Sequence, residues 1–276
     1  MSMDLYGIYE RTQRENPGVQ CITNFVTVND CANILLAAGA SPAMTMDIRE
    51  AAEAVRRMQA LVCNMGAIEY ADSMVSAGQE ANRLGIPVVL DPVAAGGTTL
   101  RRETSERLLR CVHFAAIRGN ASEIRALAGQ GASGRGVDAD VKDGVTEDNL
   151  MAVQELVRGL ARRLGCVVVL SGLIDVVSDG KACAAVRGGA ATMARVTGSG
   201  CMLSTLTGGF LGAAPERPFE AALAAVAIMD AAGEIAEEKR LKKGTGNATF
   251  RTDMIDAIFT MTREQFGRRE NIEVSE

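Results

Sequence analysis

The sequence contains a single histidine, His113, and none of its seven cysteines (21, 31, 63, 111, 166, 183 and 201) belongs to a C-x-x-C pair. That scarcity removes the usual donor sets of a Cys/His zinc site. The thiol count is odd and most cysteines sit in apolar strings such as GCVVVL, which reads as reduced, buried thiols. No uninterrupted run of about 18 apolar residues occurs, so no membrane-spanning helix is expected. The N-terminal stretch MSMDLYGIYERTQREN has no basic segment followed by an apolar core, and no secretory signal is expected either. There is no G-x-x-x-x-G-K-[ST] motif, which excludes a P-loop NTPase. The G-x-G at 198–200 lacks a third glycine at 203 and follows no clear strand, which excludes a dinucleotide fingerprint. An excess of positive charge is missing as well. A net charge of −5 argues against nucleic acid and anionic membranes as partners. These absences predict a soluble, cytoplasmic protein.

What is present is a large apolar fraction, 47% against 23% charged, enough for a substantial core. Short β-type runs alternate with helical patterns along most of the chain. The expected strands are VQCIT (19–23), ALVCNM (60–65), IPVVLD (86–91), HFAAIR (113–118), CVVVLS (166–171), DVVSD (175–179) and KACAAV (181–186). Helical patterns cover 28–39, 47–60, 69–85, 100–111 and 146–165. This rhythm predicts an α/β fold with a mainly parallel sheet and helices on both faces. The central strands are apolar at every position, as strands buried on both sides should be. DVVSDGKACAAV reads as a hairpin turning at Asp179-Gly180, at the sheet's edge. The last third is helical over 218–240 and 251–266, with RRENIEVSE expected as a frayed tail. Residues 129–144 read as a long surface loop, not a linker, because the alternation resumes unchanged after them. Repeats and low-complexity segments are absent, and residues 1–276 are expected to form one domain.

Ligands of open parallel sheets bind beyond the C-terminal strand ends. Here the strands exit into Asn64-Met65-Gly66, Asp91-Pro92, Arg118-Gly119-Asn120 and Ser171-Gly172. Any one of these is explained by the turn chemistry a strand exit needs. Four together, with Glu123 just after Asn120, make a better case for a site. Asp91 and Glu123 are hard oxygen donors suited to Mg²⁺, directly or through water. Arg118 can neutralise phosphate, and Ser171 supplies a hydroxyl. This is the inventory of phosphoryl transfer.

The remaining candidate for an anion cradle is Thr197-Gly198-Ser199-Gly200-Cys201, opening an apolar helix. Glycines allow backbone N–H groups to converge on an anion, and a helix N-terminus adds partial positive charge. The alternative is an ordinary helix cap by Thr197 or Ser199.

Four stretches closely resemble the hydroxyethylthiazole kinase family: CITNFVTVNDCANILLAAGASPAM (21–44), LDPVAAG (90–96), IRGNASEI (117–124) and VTGSGCMLSTLTGGF (196–210). The resemblance is collinear over almost the whole chain. It implies a ribokinase-like three-layer fold and an ATP- and Mg²⁺-dependent kinase acting on the hydroxyl of 4-methyl-5-(2-hydroxyethyl)thiazole. This is a step of thiamine biosynthesis and salvage. It also implies a homotrimer with active sites between subunits. By motif, the thiazole pocket falls to Met44, with Asn24, Val26 and Gly66 beside it and Gly198 as a substrate contact. Arg118, Ser171 and Asn120 fall on the ATP side, and Asp91 and Glu123 on the metal. Cys201 falls opposite the reacting hydroxyl as the candidate base, with Gly198, Ser199 and Gly200 completing the catalytic turn. Two positions depart from many members: Ser199 stands in place of threonine and Ala94 in place of glycine.

The expected reaction is direct in-line transfer of the γ-phosphoryl group. A helix N-terminus is expected to lower the Cys201 pKa. Competing readings are a kinase for another small alcohol, such as a hydroxymethylpyrimidine or a sugar, and a non-catalytic nucleotide-binding protein. Apolar Met44 and Val26 favour a flat heteroaromatic ring over a sugar.

Overall fold

The computed structural model describes residues 3–129 and 144–275. The predicted 129–144 loop therefore lies, apart from its two end residues, outside the described residues. The chain opens with helix α1 (Leu5–Glu15), strand β1 (Gly18–Ile22), α2 (Val28–Ala37) and β2 (Ser41–Ala43). It continues through α3 (Ala51–Val55), β3 (Ala60–Asn64), α4 (Ala71–Leu84), β4 (Val88–Asp91), α5 (Thr99–Cys111) and β5 (Ala116–Asn120). Next come α6 (Ala121–Leu127), α7 (Leu150–Leu164), β6 (Val167–Ser171), β7 (Asp175–Ser178) and β8 (Cys183–Val186). The chain closes with α8 (Ser199–Ala213), α9 (Pro218–Lys243), α10 (Asn247–Phe259), α11 (Arg263–Gly267) and β9 (Ile272–Ser275).

One sheet runs in the order β2-β1-β3-β4-β5-β6-β7-β8-β9. Pairing is parallel from β2 to β6 and antiparallel from β6 to β9. Successive strand residues enter opposite cores, which is why the central strands are apolar throughout. Val19, Cys21, Val62, Val89 and Val169 pack under α1, α2, α8, α9 and α10. Ile22, Leu61, Cys63, Leu90 and Leu170 face the core formed with α3 to α7. The predicted three-layer α/β architecture holds.

Several boundaries differ from the sequence reading. The patterned stretch 47–60 is helical only over Ala51–Val55, because Asp47 holds the Arg49 N–H and guanidinium in a preceding turn. The predicted helix 251–266 is two helices. Thr262 caps α11 in a reciprocal box with Gln265, and that cap ends the previous run. The tail is not frayed: Ile272–Ser275 pairs with β8, so the hairpin sits one strand in from the edge. The open edge of β8 offers unpaired backbone groups, which the tail satisfies.

Ala94 sits at φ +55° in the turn after β4, where a glycine has no steric cost. Ala94→Gly is therefore expected to stabilise the fold by about 1 kcal/mol. Urea denaturation checks this, with the midpoint moving upward.

Candidate active site

The parallel strands all deliver their C-terminal ends to one side of the sheet. Asn64 ends β3 and is in register with Asp91 at the end of β4; Asn120 ends β5 and pairs with Ser171 of β6. Helix α8 runs along the sheet face, with Gly212 near the strand starts and Cys201 near the strand ends, so its N-terminus lies at this side. A cavity of about 660 Å³ opens there, walled by Asp91, Arg118, Asn120, Glu123 and the segment from Ala194 to Cys201. Ser171 joins the wall through Arg118, whose Nη2 donates to its Oγ.

The turn before α8 has the form an anion cradle requires. Gly198 is the N-cap at φ +85°, and no side chain caps the helix. The alternative, an ordinary cap by Thr197 or Ser199, is thus not realised. The first intrahelical bond runs from Met202 N to Gly198 O, 2.8 Å, and Ser199 N reaches back to Val196 O. Gly200 and Cys201 therefore have N–H groups without intrahelical acceptors. Glycine is needed at 200 because a Cβ there would collide with Arg118 Nη1. Arg118 Nε is buried with no acceptor, and the guanidinium lines the cavity beside the α8 N-terminus, a cation next to free N–H groups that suits an anion.

Cys201 sits in an amide cluster. Asn64 Nδ2 lies 3.2 Å from its Sγ and 2.8 Å from Asp91 Oδ2. Asn24 Nδ2 lies 3.6 Å from the same sulfur and 3.2 Å from Asn64 Oδ1. Gly66 N donates to Asn64 Oδ1 at 2.8 Å, and a Cβ at Gly66 would press on both amides. Ser204 Oγ, one helical turn after Cys201, donates to Asp91 Oδ2 at 2.9 Å. Burial pushes the Cys201 thiol up to about 12, and the Asp91 charge pushes in the same direction. The expected lowering at the helix N-terminus does not occur. Desolvation of the thiolate and a nearby carboxylate outweigh the helix dipole. Iodoacetamide should accordingly alkylate Cys201 slowly at neutral pH, and labelling should accelerate up to about pH 12 in peptide-resolved mass spectrometry.

Glu123 has two attachments: Ala94 N donates to Oε1 and Asn120 N to Oε2, each at 2.8 Å. It closes a capping box with Asn120 at the start of α6, so part of its task is structural. Burial raises both carboxyls above the ordinary carboxylate range. The Asp91 charge adds to the effect on Glu123, while Arg118 opposes it at both. Two buried, mutually repelling carboxylates beside a cavity are a setting that a divalent cation relieves. Among the described residues, no three His, Cys, Asp or Glu side chains converge on one point. The pair therefore fits an ion such as Mg²⁺ that keeps several waters and phosphate oxygens, and does not fit a closed all-protein cage.

Of the remaining residues singled out, Val26 is exposed next to Asn24. Met44 follows β2, half-buried against the core, and both lie outside the cavity wall. Asn64 and Ser204 are the site residues that sequence reasoning left without a role. Asn64 was visible as a polar strand exit beside Asp91. Ser204 had only its spacing of three from Cys201 to mark it on an otherwise apolar helix.

Fold and site together define a ribokinase-like small-molecule phosphotransferase. A ribokinase-like superfamily protein from Enterococcus faecalis V583 shares the fold, with a TM-score of 0.61 at 13% identity over 96% of this chain and 95% of that one. The hydroxyethylthiazole kinase family model matches residues 9–264, and the chain belongs to that family. A hydroxyethylthiazole kinase of Desulfovibrio desulfuricans is 46% identical over 274 residues, covering 96% of each chain. The structure of a hydroxyethylthiazole kinase from Pyrococcus horikoshii OT3 superposes with a TM-score of 0.86 at 31% identity, covering 99% of both chains. Among the described residues, no helix is long and apolar enough to cross a membrane.

Proposed function

We propose that this chain transfers the γ-phosphoryl group of ATP to the hydroxyl of 4-methyl-5-(2-hydroxyethyl)thiazole, in thiamine biosynthesis and salvage. The observation that carries the assignment of roles is the Arg118 guanidinium set against Gly200 at the uncapped N-terminus of α8, in the wall of the cavity that Asp91 and Glu123 also line. Arg118 and Ser171, with Asn120 beside them, hold the nucleotide phosphates. The Gly198–Cys201 N–H groups take up charge as the phosphoryl group moves, where fixed donors act without reorganising. Asp91 and Glu123 hold Mg²⁺, directly or through water. When bound, that ion neutralises phosphate charge and aligns the oxygens. Asn24, Val26, Met44, Gly66 and Gly198 form the thiazole side.

Cys201 faces the acceptor hydroxyl. With its thiol neutral, it acts by placing that hydroxyl and not as a stored thiolate. A loose transition state demands little proton removal before bond cleavage. Cys201→Ala is expected to lower kcat about tenfold, and Cys201→Asp to retain turnover by accepting the same hydroxyl bond. Steady-state kinetics checks both, and an unchanged kcat in Cys201→Ala overturns the role. The reaction itself is tested by incubating the protein with Mg-ATP and the thiazole alcohol and detecting the phosphate ester. Faster turnover of a pyrimidine alcohol, or ATP binding without product in calorimetry, would select one of the competing readings. We further propose one cytoplasmic domain, residues 1–276, acting as a homotrimer with sites between subunits. Phe25 and Val26, 84% and 57% exposed beside Asn24, support a second copy covering that flank. Sedimentation velocity tests it.

A further inference from the structure

Helix α9 is alanine-rich and apolar along its buried length, yet it carries one acid there, Asp230, only 7% exposed. Its carboxylate is wedged against Gly188 and Gly189, which lead from β8 toward the anion turn. A Cβ on Gly188 would stand 3.2 Å from Oδ2, and one on Gly189 3.1 Å from Oδ1. Oδ2 has no conventional hydrogen-bond donor. Another buried acid stands beside it: Asp175 at the start of β7, also 7% exposed, is in register with Val186, two residues before Gly188, on a strand packed against α9, and the two carboxyls interact. Asp175 Oδ1 accepts from Gly172 N–H at 2.7 Å and so closes the turn after Ser171. Two carboxyls bond each other only while one keeps its proton.

The charges around the pair favour that state. Glu234, further along α9, pushes Asp230 up, while Arg118 from β5 pulls Asp175 down; Arg269 in turn draws on Glu234. The glycine segment contributes no charge. Burial is the largest influence on both acids, taking Asp175 up to about 6 and Asp230 well above its ordinary value.

We propose that Asp175 and Asp230 form a proton-sharing clasp that positions the nucleotide side of the cavity, joining the Ser171–Gly172 turn to the Gly188–Gly189 approach to the anion turn. The inference rests on the reading that Arg118 and Ser171 hold ATP. Both acids are positioning residues. While the pair holds its proton, Gly172 and hence Ser171 are fixed. Loss of that proton as pH rises sets two anions face to face, and the turn loosens. The acceptor side, built on Asn24 and Gly66 across the sheet, does not share this device.

The test is the KM for ATP and for the thiazole alcohol, measured from about pH 6 to about pH 9 in wild type, Asp230→Asn, Asp175→Ala and Arg118→Ala. In wild type the KM for ATP should rise several-fold with pH. In Asp230→Asn it should stay flat, because an amide donates to Asp175 without titrating. Asp175→Ala should raise the KM for ATP about tenfold while changing that for the alcohol less than about twofold. A pH profile of Asp230→Asn identical to wild type, or equal changes in both KM values in Asp175→Ala, overturns the clasp. Asp230→Asn is isosteric and keeps the test decisive if Asp175→Ala fails to fold. An unchanged KM for ATP in Arg118→Ala would instead refute the underlying reading of the nucleotide wall.

Discussion

Gly200→Ala is expected to lower kcat/KM by about 10²- to 10³-fold while leaving the protein folded. The added methyl meets the end of the Arg118 side chain, with backbone further away. A flexible guanidinium can move aside at little cost to stability. In moving, it leaves Ser171 and withdraws its positive charge from the mouth of the α8 N-terminus. The measurement pairs steady-state kinetics with thermal unfolding: activity should collapse while Tm shifts by only about 2–4 °C. Gly198→Ala should behave differently. A side chain there is strained at φ +85° and collides with Thr27, so stability and activity fall together. The contrast separates a glycine needed for the position of a cation from one needed for the path of the chain.

Asp91→Asn is expected to cost about a thousandfold in kcat and to stabilise the protein at neutral pH. The two signs have one origin. Burial holds the Asp91 carboxyl above the value it has in the unfolded chain, even though Arg118, Ser204 and Asn64 favour its charged form. Ionising it in the folded state therefore costs stability, and the cost is complete above its folded pKa. An amide retains the oxygen that accepts from Asn64 and Ser204 and avoids that cost. The Tm gain of Asp91→Asn should vanish below the ordinary carboxylate range, near pH 4. Activity follows the opposite rule, because the ionised form is the one that holds Mg²⁺. In wild type, kcat/KM should fall as pH drops through a value above the ordinary range. In Asp91→Asn the residual acid limb should move down, since Glu123 no longer faces a like charge. Tm and kcat/KM measured across pH in both proteins check the pair of expectations.

The strand exits show how far residue types could carry the reading. Asp91 and Arg118 were legible because a charged residue near the end of an apolar strand needs a reason, and Glu123 because it follows the β5 exit at Asn120 by three residues. Their convergence follows from parallel pairing, which a β-α-β rhythm dictates. Glycines ahead of an apolar helix likewise marked the turn at 198–200. Legibility failed where a pattern was short or its partner remote. IEVS is too brief to stand out as a strand until the edge of β8 is there to receive it. The break between α10 and α11 depends on one threonine cap inside a helical pattern. Asn64 is an ordinary strand-end residue until α8 brings Cys201 within 3.2 Å of its amide.

By itself, then, the sequence determined the α/β class, the apolar strands buried between two helical layers, and the family to which the chain belongs. These depend on local periodicity and on motifs a few residues long. Only the tertiary structure decided the protonation chemistry. Cys201 is a neutral thiol, the Asp91 and Glu123 carboxyls hold their protons more tightly, and Asp175 faces Asp230 from another element altogether. The physical reason is that a proton's affinity is set by desolvation and by charges within a few ångströms. Those neighbours come from strands and helices far apart along the chain.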